Sequence, residues 1–228
     1  PPLTEVTVEV PMGPKQRAAY RELKKHLVTT INGSEVVAWS RSAAHVLLDQ
    51  LTTGVGLVAD GEVFNKRGEV TPDNAKLVRL KTDLESRSRP TLVVAHYQPT
   101  VEAAVRVARS VGAQAELVYG PTSRADRLRH VRAFQAGKLD VLVGSLETIA
   151  EGLTLVAADQ VIFVEKSWKP SRNDQALRRI HRIGQQRPVT ALDYVTPQSV
   201  DAGKRELLKL KTDHQMKMLR AADIARIA

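Results

Sequence analysis

The chain has 228 residues, 43% of them hydrophobic, which is enough to bury a real core as one large α/β domain or as a domain with a sizeable appendage. It contains no cysteine, excluding disulfide frameworks, zinc–thiolate sites and thiol catalysis, and no apolar run long enough for a transmembrane helix, so a soluble intracellular setting without a membrane partner is expected. Thirty-four basic residues against twenty-five acidic give a net charge of +9, which favours polyanionic partners such as nucleic acid. The sequence opens Pro1-Pro2 with neither an initiator methionine nor a signal-peptide pattern, and is expected to be a segment of a longer polypeptide.

Residues 3–10 alternate polar with apolar and predict a strand; Pro11 and Pro14 then break the pattern ahead of a helix from about Lys15 to Val28. A second helix is predicted around 41–53. Asp60-Gly61, between Leu57-Val58-Ala59 and Val63-Phe64, reads as a hairpin turn, and Thr71-Pro72-Asp73 starts a helix that runs to an Arg/Ser-rich linker at 86–89. From Pro90 the texture changes to short apolar runs: Thr91–Ala95, Ala115–Tyr119, Val141–Gly144, Gln160–Glu165 and Thr190–Val195. Their lack of alternation predicts a parallel α/β sheet covered on both faces by helices at about 99–110, 123–136, 171–183 and one or two after 199. The expected division is an appendage over 1–89, an α/β lobe over 90–198 and a helical extension over 199–228.

Ligands of parallel sheets gather beyond the carboxyl ends of the strands. Those ends carry His96-Tyr97-Gln98, Gly120-Pro121-Thr122, the stretch from Ser145 to Gly152, and Lys166-Ser167-Trp168-Lys169-Pro170. Any one of them alone is an ordinary βα turn; four together suggest a surface.

The run 174–187 holds the sharpest signal. On a helix, Gln175, Arg179 and Arg182 fall at i, i+4, i+7 on one face, with Ala176, Ile180 and Ile183 on another that can be buried. Ser171 fits an N-cap with Asp174 as capping-box partner, and Gly184 fits a left-handed stop. Between Lys166 and Arg187, seven basic residues face only Asp174. A permanently charged planar guanidinium suits phosphate oxygens, so an arginine finger is one reading and a solvated basic face the other. His181 lacks a second ligand at usable spacing, and no metal site is expected. The phosphate loop of an ATPase, Gly-x-x-x-x-Gly-Lys-Ser/Thr, is missing from the sequence.

The run Gln175–Gln185, preceded by Trp168-Lys169-Pro170, closely resembles the last helicase motif of SWI/SNF-type DNA translocases. The order of other segments agrees. Leu92–Gln98 resembles motif four; Tyr119-Gly120-Pro121-Thr122 with Arg127, Val131 and Phe134 resembles the next; Ser145 to Asp159 resembles motif five; Val8–Pro11 with Gln16 and Tyr20 is similar to the entry into the second lobe. The match is weakest over 29–89.

The resemblance implies a RecA-like second lobe with an N-terminal helical and hairpin appendage and C-terminal bracing helices bearing Lys204, Arg205, Lys209 and Lys211. Arg179 and Arg182 would reach the γ-phosphate of ATP, held with magnesium mainly by a first lobe absent from this chain, while Gln175 and Gly152 would lie near the nucleotide. Double-stranded DNA would meet Gln98, Gly120, Thr122, Arg127, Ser145 and Thr148 through its backbone, with Trp168 either a wedge or core packing. The function implied is the second ATPase lobe of an ATP-dependent DNA translocase, inactive by itself, cytoplasmic in a prokaryotic or viral host and nuclear in a eukaryote. Alternatives are a non-catalytic nucleic-acid-binding module and a DEAD-box-like RNA helicase lobe; the His-Arg-Ile-Gly-Gln ending and the Trp-x-Pro approach argue against the latter. The chain departs from the family in Ile149-Ala150, where motif five carries Gly-Gly, and in Thr154, where it carries Asn. Gly152-Leu153-Thr154 is similar to the annealing-helicase branch.

Overall fold

The computed structural model describes residues 1–31, 34–54, 57–59, 62–64 and 74–212. In chain order the elements are β1 (Leu3–Glu9), α1 (Pro14–His26), β2 (Val28–Ile31), β3 (Ser34–Val37), α2 (Arg41–Leu51), β4 (Leu57–Ala59), β5 (Glu62–Phe64), α3 (Ala75–Glu85), β6 (Thr91–Ala95), α4 (Gln98–Ser110), β7 (Ala115–Val118), α5 (Arg124–Gln135), β8 (Val141–Ser145), α6 (Leu146–Ala150), β9 (Gln160–Phe163), α7 (Pro170–Leu177) and β10 (Val189–Val195). A further helix over 200–212 is α8. No helix among the described residues is long and apolar enough to cross a membrane.

Six strands form one sheet in the order β1-β10-β9-β6-β8-β7, every neighbouring pair parallel. The all-apolar runs lie inside it. Every residue of β6 and β8 is buried, and alternate side chains serve opposite faces. Val93 and Ala95 pack with Leu77, Leu80 and Leu84 of α3 and Val101 and Ala104 of α4. Leu92 and Val94 pack with Phe134 of α5, Leu146 and Ile149 of α6, Ala176 of α7 and Ile180. The parallel α/β fold expected from the sequence is therefore present, with β1 as its outer strand, in register with β10 from Leu3↔Val189 to Glu9↔Val195.

A smaller core of Met12, Tyr20, Leu23, Val36, Leu47, Leu48 and Leu51 joins α1, β3 and α2. The hairpin β2–β3 was not foreseen from the sequence; its strands are only four residues each, too short to show a period. β4 and β5 pair antiparallel as expected. Asp60-Gly61, Thr71-Pro72-Asp73 and everything after Thr212 lie outside the described residues.

Buried charge ties these parts together. Lys76 Nζ, fully buried, donates to Asp201 at 2.7 Å and to the Val164 carbonyl at 3.0 Å. Lys204 Nζ pairs with Asp49 at 2.7 Å, lies 3.8 Å from Asp201, and donates to the Lys166 carbonyl at 3.0 Å. Beside them Glu165 accepts from Thr53 and Thr100 hydroxyls at 2.7 and 2.8 Å and from the His96 and Tyr97 backbone at 3.0 and 2.9 Å. Tyr97 donates to Asp49 at 3.0 Å, and burial, with Asp49 and Glu165 adding to it, pushes its phenol pKa well up.

The arginine segment departs from expectation. α7 stops at Leu177 instead of running to 183. Lys169 is the N-cap and Pro170 the first helical residue, so Ser171 is inside the helix and caps nothing; Asp174 pairs forward with Arg178 at 2.7 Å. Beyond Leu177 the backbone coils irregularly, Arg179 N–H bonding Ala176 O and Ile180 N–H bonding Leu177 O. The Arg179 carbonyl, which a continuing α-helix would offer to Ile183, accepts from Leu155 N–H at 2.9 Å. That tertiary bond takes the carbonyl that a resumed helix would need, and Ile183, expected on a buried face, is 100% exposed.

Gly144 of β8 has no room for a side chain: a Cβ would stand 2.5 Å from Ile149 Cγ1 and Cδ1 and 3.3 Å from Val118. Gly144→Ala should destabilise the fold by about 1–3 kcal/mol through overpacking, read by denaturant unfolding of the isolated chain.

For Asp201, burial opposes ionisation, but Lys76 and Lys204 outweigh it and hold the carboxyl below its ordinary value of 3.8. The unfolded chain therefore binds more protons in acid. The stabilisation is complete above that value and is lost as pH falls through the lowered folded value. Asp201→Asn should lower neutral stability and flatten the acid limb of an unfolding-versus-pH curve; an acid limb as steep as wild type would contradict the assignment.

Candidate functional site

The folded chain changes the charge count around the arginines. Of the seven cations between 166 and 187, Lys166 pairs with Asp193 at 2.9 Å, Arg172 with Glu147 at 3.1 Å, Arg178 with Asp174 at 2.7 Å and Arg187 with Asp159 at 3.0 Å. Among the described residues, Arg179, Arg182 and Lys169 have no carboxylate within salt-bridge distance. Most of the positive field read from the sequence is thus compensated locally.

Arg179 and Arg182 turn toward the same loop. Arg179 Nη2 donates to the Ala150 carbonyl, and its buried Nε has no partner. Arg182 Nη1 donates to Thr154 Oγ1 at 3.1 Å. Between these two acceptors lies Gly152, with φ of +99°, a left-handed backbone that a side chain would strain. The Arg179 carbonyl closes the contact through Leu155. Both guanidinium groups therefore rest on neutral acceptors, next to a stretch of backbone bare of side chain. Gln175 is exposed on α7. His181 lies outside this contact, its Nε2 2.8 Å from the Pro1 carbonyl oxygen.

The other candidate residues follow β6, β8 and β7, which are adjacent in the sheet. Gln98 opens α4, and its Nε2 lies 3.4 Å from where a Cβ on Gly120 would stand, so these two candidates are neighbours. Thr122 closes a turn with Tyr119, donating its N–H to the Tyr119 carbonyl at 3.0 Å and accepting the Tyr119 N–H at 3.1 Å on Oγ1. Arg127 is half-buried on α5, its Nε without a partner. Ser145 caps α6, accepting the Thr148 N–H at 3.4 Å and donating its hydroxyl to Thr148 Oγ1 at 2.9 Å; both residues are buried. Trp168 stands apart from this group. Its indole N–H donates to Asp49 at 3.2 Å, its ring lies 4.7 Å from that of His45, and Lys204 Nζ lies 5.2 Å from the ring centre.

Several residues that organise the site carry no signal of their own in the sequence. Asn173 bonds both the N–H and the carbonyl of Ser167, each at 2.9 Å, which fixes the entry to α7. Glu165 joins the ends of β9 and β6. Gln185, part of the arginine run, reaches back to the segment before β9. Only the contacts of the folded chain reveal them.

Residues 74–184 match the family model described as the helicase conserved C-terminal domain. The chain is 25% identical over 228 residues to mouse SWI/SNF-related matrix-associated actin-dependent regulator of chromatin subfamily A member 1, an alignment that covers 93% of the chain and 21% of that protein. It spans about a fifth of that relative's length. Its fold is similar to the C-terminal part of the Fun30 ATPase domain, with a TM-score of 0.76 at 15% identity over 91% of this chain and 89% of that one. It is also similar to the Sulfolobus solfataricus SWI2/SNF2 ATPase C-terminal domain, with a TM-score of 0.67 at 17% identity over 92% and 86%. Residues 74–184 thus carry a helicase conserved C-terminal domain, and the parallel sheet, the order of the motifs and these similarities together support a C-terminal RecA-like lobe of the SWI/SNF type.

Proposed function

We propose that the chain is the second ATPase lobe of an ATP-dependent double-stranded-DNA translocase, supplying arginine fingers and DNA-backbone contacts and hydrolysing nothing without a first lobe. The observation that carries this reading is the convergence of Arg179 and Arg182, both without a carboxylate partner, on the loop of Gly152.

These residues suit the phosphate end of magnesium ATP. A phosphate oxygen carries a negative charge that the Ala150 carbonyl and the Thr154 hydroxyl lack, and a guanidinium meets it in a bidentate, charge-paired geometry. Both arginines would exchange their present acceptors for phosphate oxygens. Among the described residues no group of three His, Asp or Glu side chains is arranged to hold a cation, so the ligands of magnesium would come from the first lobe. ATP bound there supplies the γ-phosphoryl group. Arg179 and Arg182 would stabilise the charge that grows on its oxygens, Gly152 would let backbone approach the nucleotide, and Gln175 would lie beside it.

Duplex DNA is the proposed second partner, read without regard to sequence. Gln98, Gly120 and Thr122, beyond the ends of β6 and β7, which flank β8, offer an amide, bare backbone and a hydroxyl, and Arg127 of α5 a guanidinium group. Ser145 Oγ donates to Thr148 Oγ1 and accepts the Thr148 N–H, so the part of this pair would fall to the Thr148 hydroxyl hydrogen. Trp168, engaged by Asp49, His45 and Lys204, is read as a brace and not as a wedge.

In the two-lobed ATPase, Arg182→Ala and Arg179→Ala should each lower DNA-stimulated ATP turnover by about a thousandfold while DNA binding persists. Variants as active as wild type would reduce the arginine turn to a basic surface. Calorimetric titration of the isolated chain should find no tight magnesium-dependent ATP binding; tight binding would contradict the assignment of the triphosphate to the other lobe.

A further inference from the structure

The turn that carries Arg182 has little of its own to hold it. After α7 ends, Ile180 is the last buried apolar residue before Val189, Ile183 at the tip faces solvent, and Gly184 has φ of +102°. Between Ile180 and Val189 a single residue is buried, Gln185.

Its side chain does what an apolar anchor would do elsewhere. Nε2 donates toward three carbonyls, Ala158 at 2.6 Å, Val156 at 3.1 Å and Ile180 at 3.3 Å. Oε1 accepts from the backbone N–H groups of Gln186 and Arg187, both at 3.0 Å. A primary amide has two hydrogens and two lone pairs, so this inventory is fully used, with the two hydrogens shared among three acceptors. The bonds tie the start of the arginine turn, at Ile180, and its exit, at 186–187, to the strand-leading segment 156–158. That segment continues from Thr154, the acceptor of Arg182, and Leu155, which bonds the Arg179 carbonyl. Glutamate would keep the shape but lose both donors and set a charge against three carbonyls; leucine would leave the buried bonds to the Ala158 and Ile180 carbonyls, and the part-buried ones to the Val156 carbonyl and both N–H groups, unmade.

We propose that Gln185 is the positioning residue of the arginine turn: it fixes the backbone on which Arg179 and Arg182 stand, and so their distance from the phosphate they serve. The inference rests on the arginine-finger reading. A misplacement of about 1 Å in such a group lowers rate by roughly a hundredfold. The loss belongs in kcat, because the triphosphate is held by the other lobe.

The test is a double-mutant cycle in the two-lobed ATPase at saturating duplex DNA, with Gln185→Leu, Arg182→Ala and the pair. Gln185→Leu is expected to lower kcat by at least about tenfold with KM for ATP within about threefold of wild type, and to add almost nothing to the Arg182→Ala loss. An unchanged kcat with only a lower melting temperature would make Gln185 purely structural and overturn the proposal. So would losses that multiply in the double variant. If Gln185→Leu does not fold, Gln185→Asn, whose shorter amide reaches fewer of these groups, carries the same comparison. An Arg182→Ala enzyme as active as wild type would be a failure of the arginine-finger reading, visible in a separate arm.

Discussion

The structure depends on a set of charges buried where the strand ends meet α2, α3 and α8. Lys76, Asp201, Lys204 and Asp49 form a chain of ion pairs with almost no exposure, and Glu165 and Tyr97 extend it by hydrogen bonds. Such groups cost several kcal/mol each to dehydrate, and breaking one pair leaves its partner buried and uncompensated, at about 3–5 kcal/mol. The arrangement is therefore conditional: α2, α3, α8 and the end of β9 stand together or not at all. The end of β9 leads directly into Lys166, Ser167 and Trp168 and from there into α7. The same charges that join the first fifty residues to the sheet thus set the direction in which the arginine segment leaves it.

The second constraint is one of compensation. The segment 166–187 is basic enough to read as a general anionic docking face, yet the fold brings Glu147, Asp159 and Asp193 to it from other elements. What remains is narrow: two guanidinium groups on neutral acceptors around Gly152, and Lys169 at the helix start. A ligand that carries its own charge gains there what the neighbouring cations no longer offer. The proposed phosphate reading rests on this exposed turn, on the bare backbone of Gly152 and on the lack of carboxylates beside the two arginines among the described residues.

The elements that could be read from the sequence were those whose apolar runs exceed one turn or one pleat. The runs Thr91–Ala95 and Val141–Gly144 announce fully buried strands because no polar residue interrupts their interiors, and α4 announces itself by an apolar stripe. The β2–β3 hairpin and α6 did not, since these short segments mix polar with apolar residues and form no unbroken apolar run. The arginines were found by their spacing, although the geometry that justified the spacing is not the one they adopt: α7 ends at Leu177, and Arg179 and Arg182 meet at the 150–154 loop through an irregular turn. Trp168 could be read either way from its type alone. Its N–H on Asp49, 119 residues away in sequence, was not legible in any local pattern.

The sequence by itself determined the parallel α/β architecture, the resemblance carried by 175–185 and its companion segments, and the lack of a phosphate loop. These follow from local composition and periodicity, which each short stretch carries whatever surrounds it. Only the tertiary structure decided where α7 stops, which cations keep their charge uncompensated, and how Gln185 holds a turn that has no apolar anchor. Those outcomes turn on hydrogen bonds and ion pairs between residues far apart in the chain, such as Leu155 with Arg179 and Lys204 with Asp49. A backbone carbonyl or a carboxylate takes the nearest donor in space, and nearness in space is what folding, not sequence order, supplies.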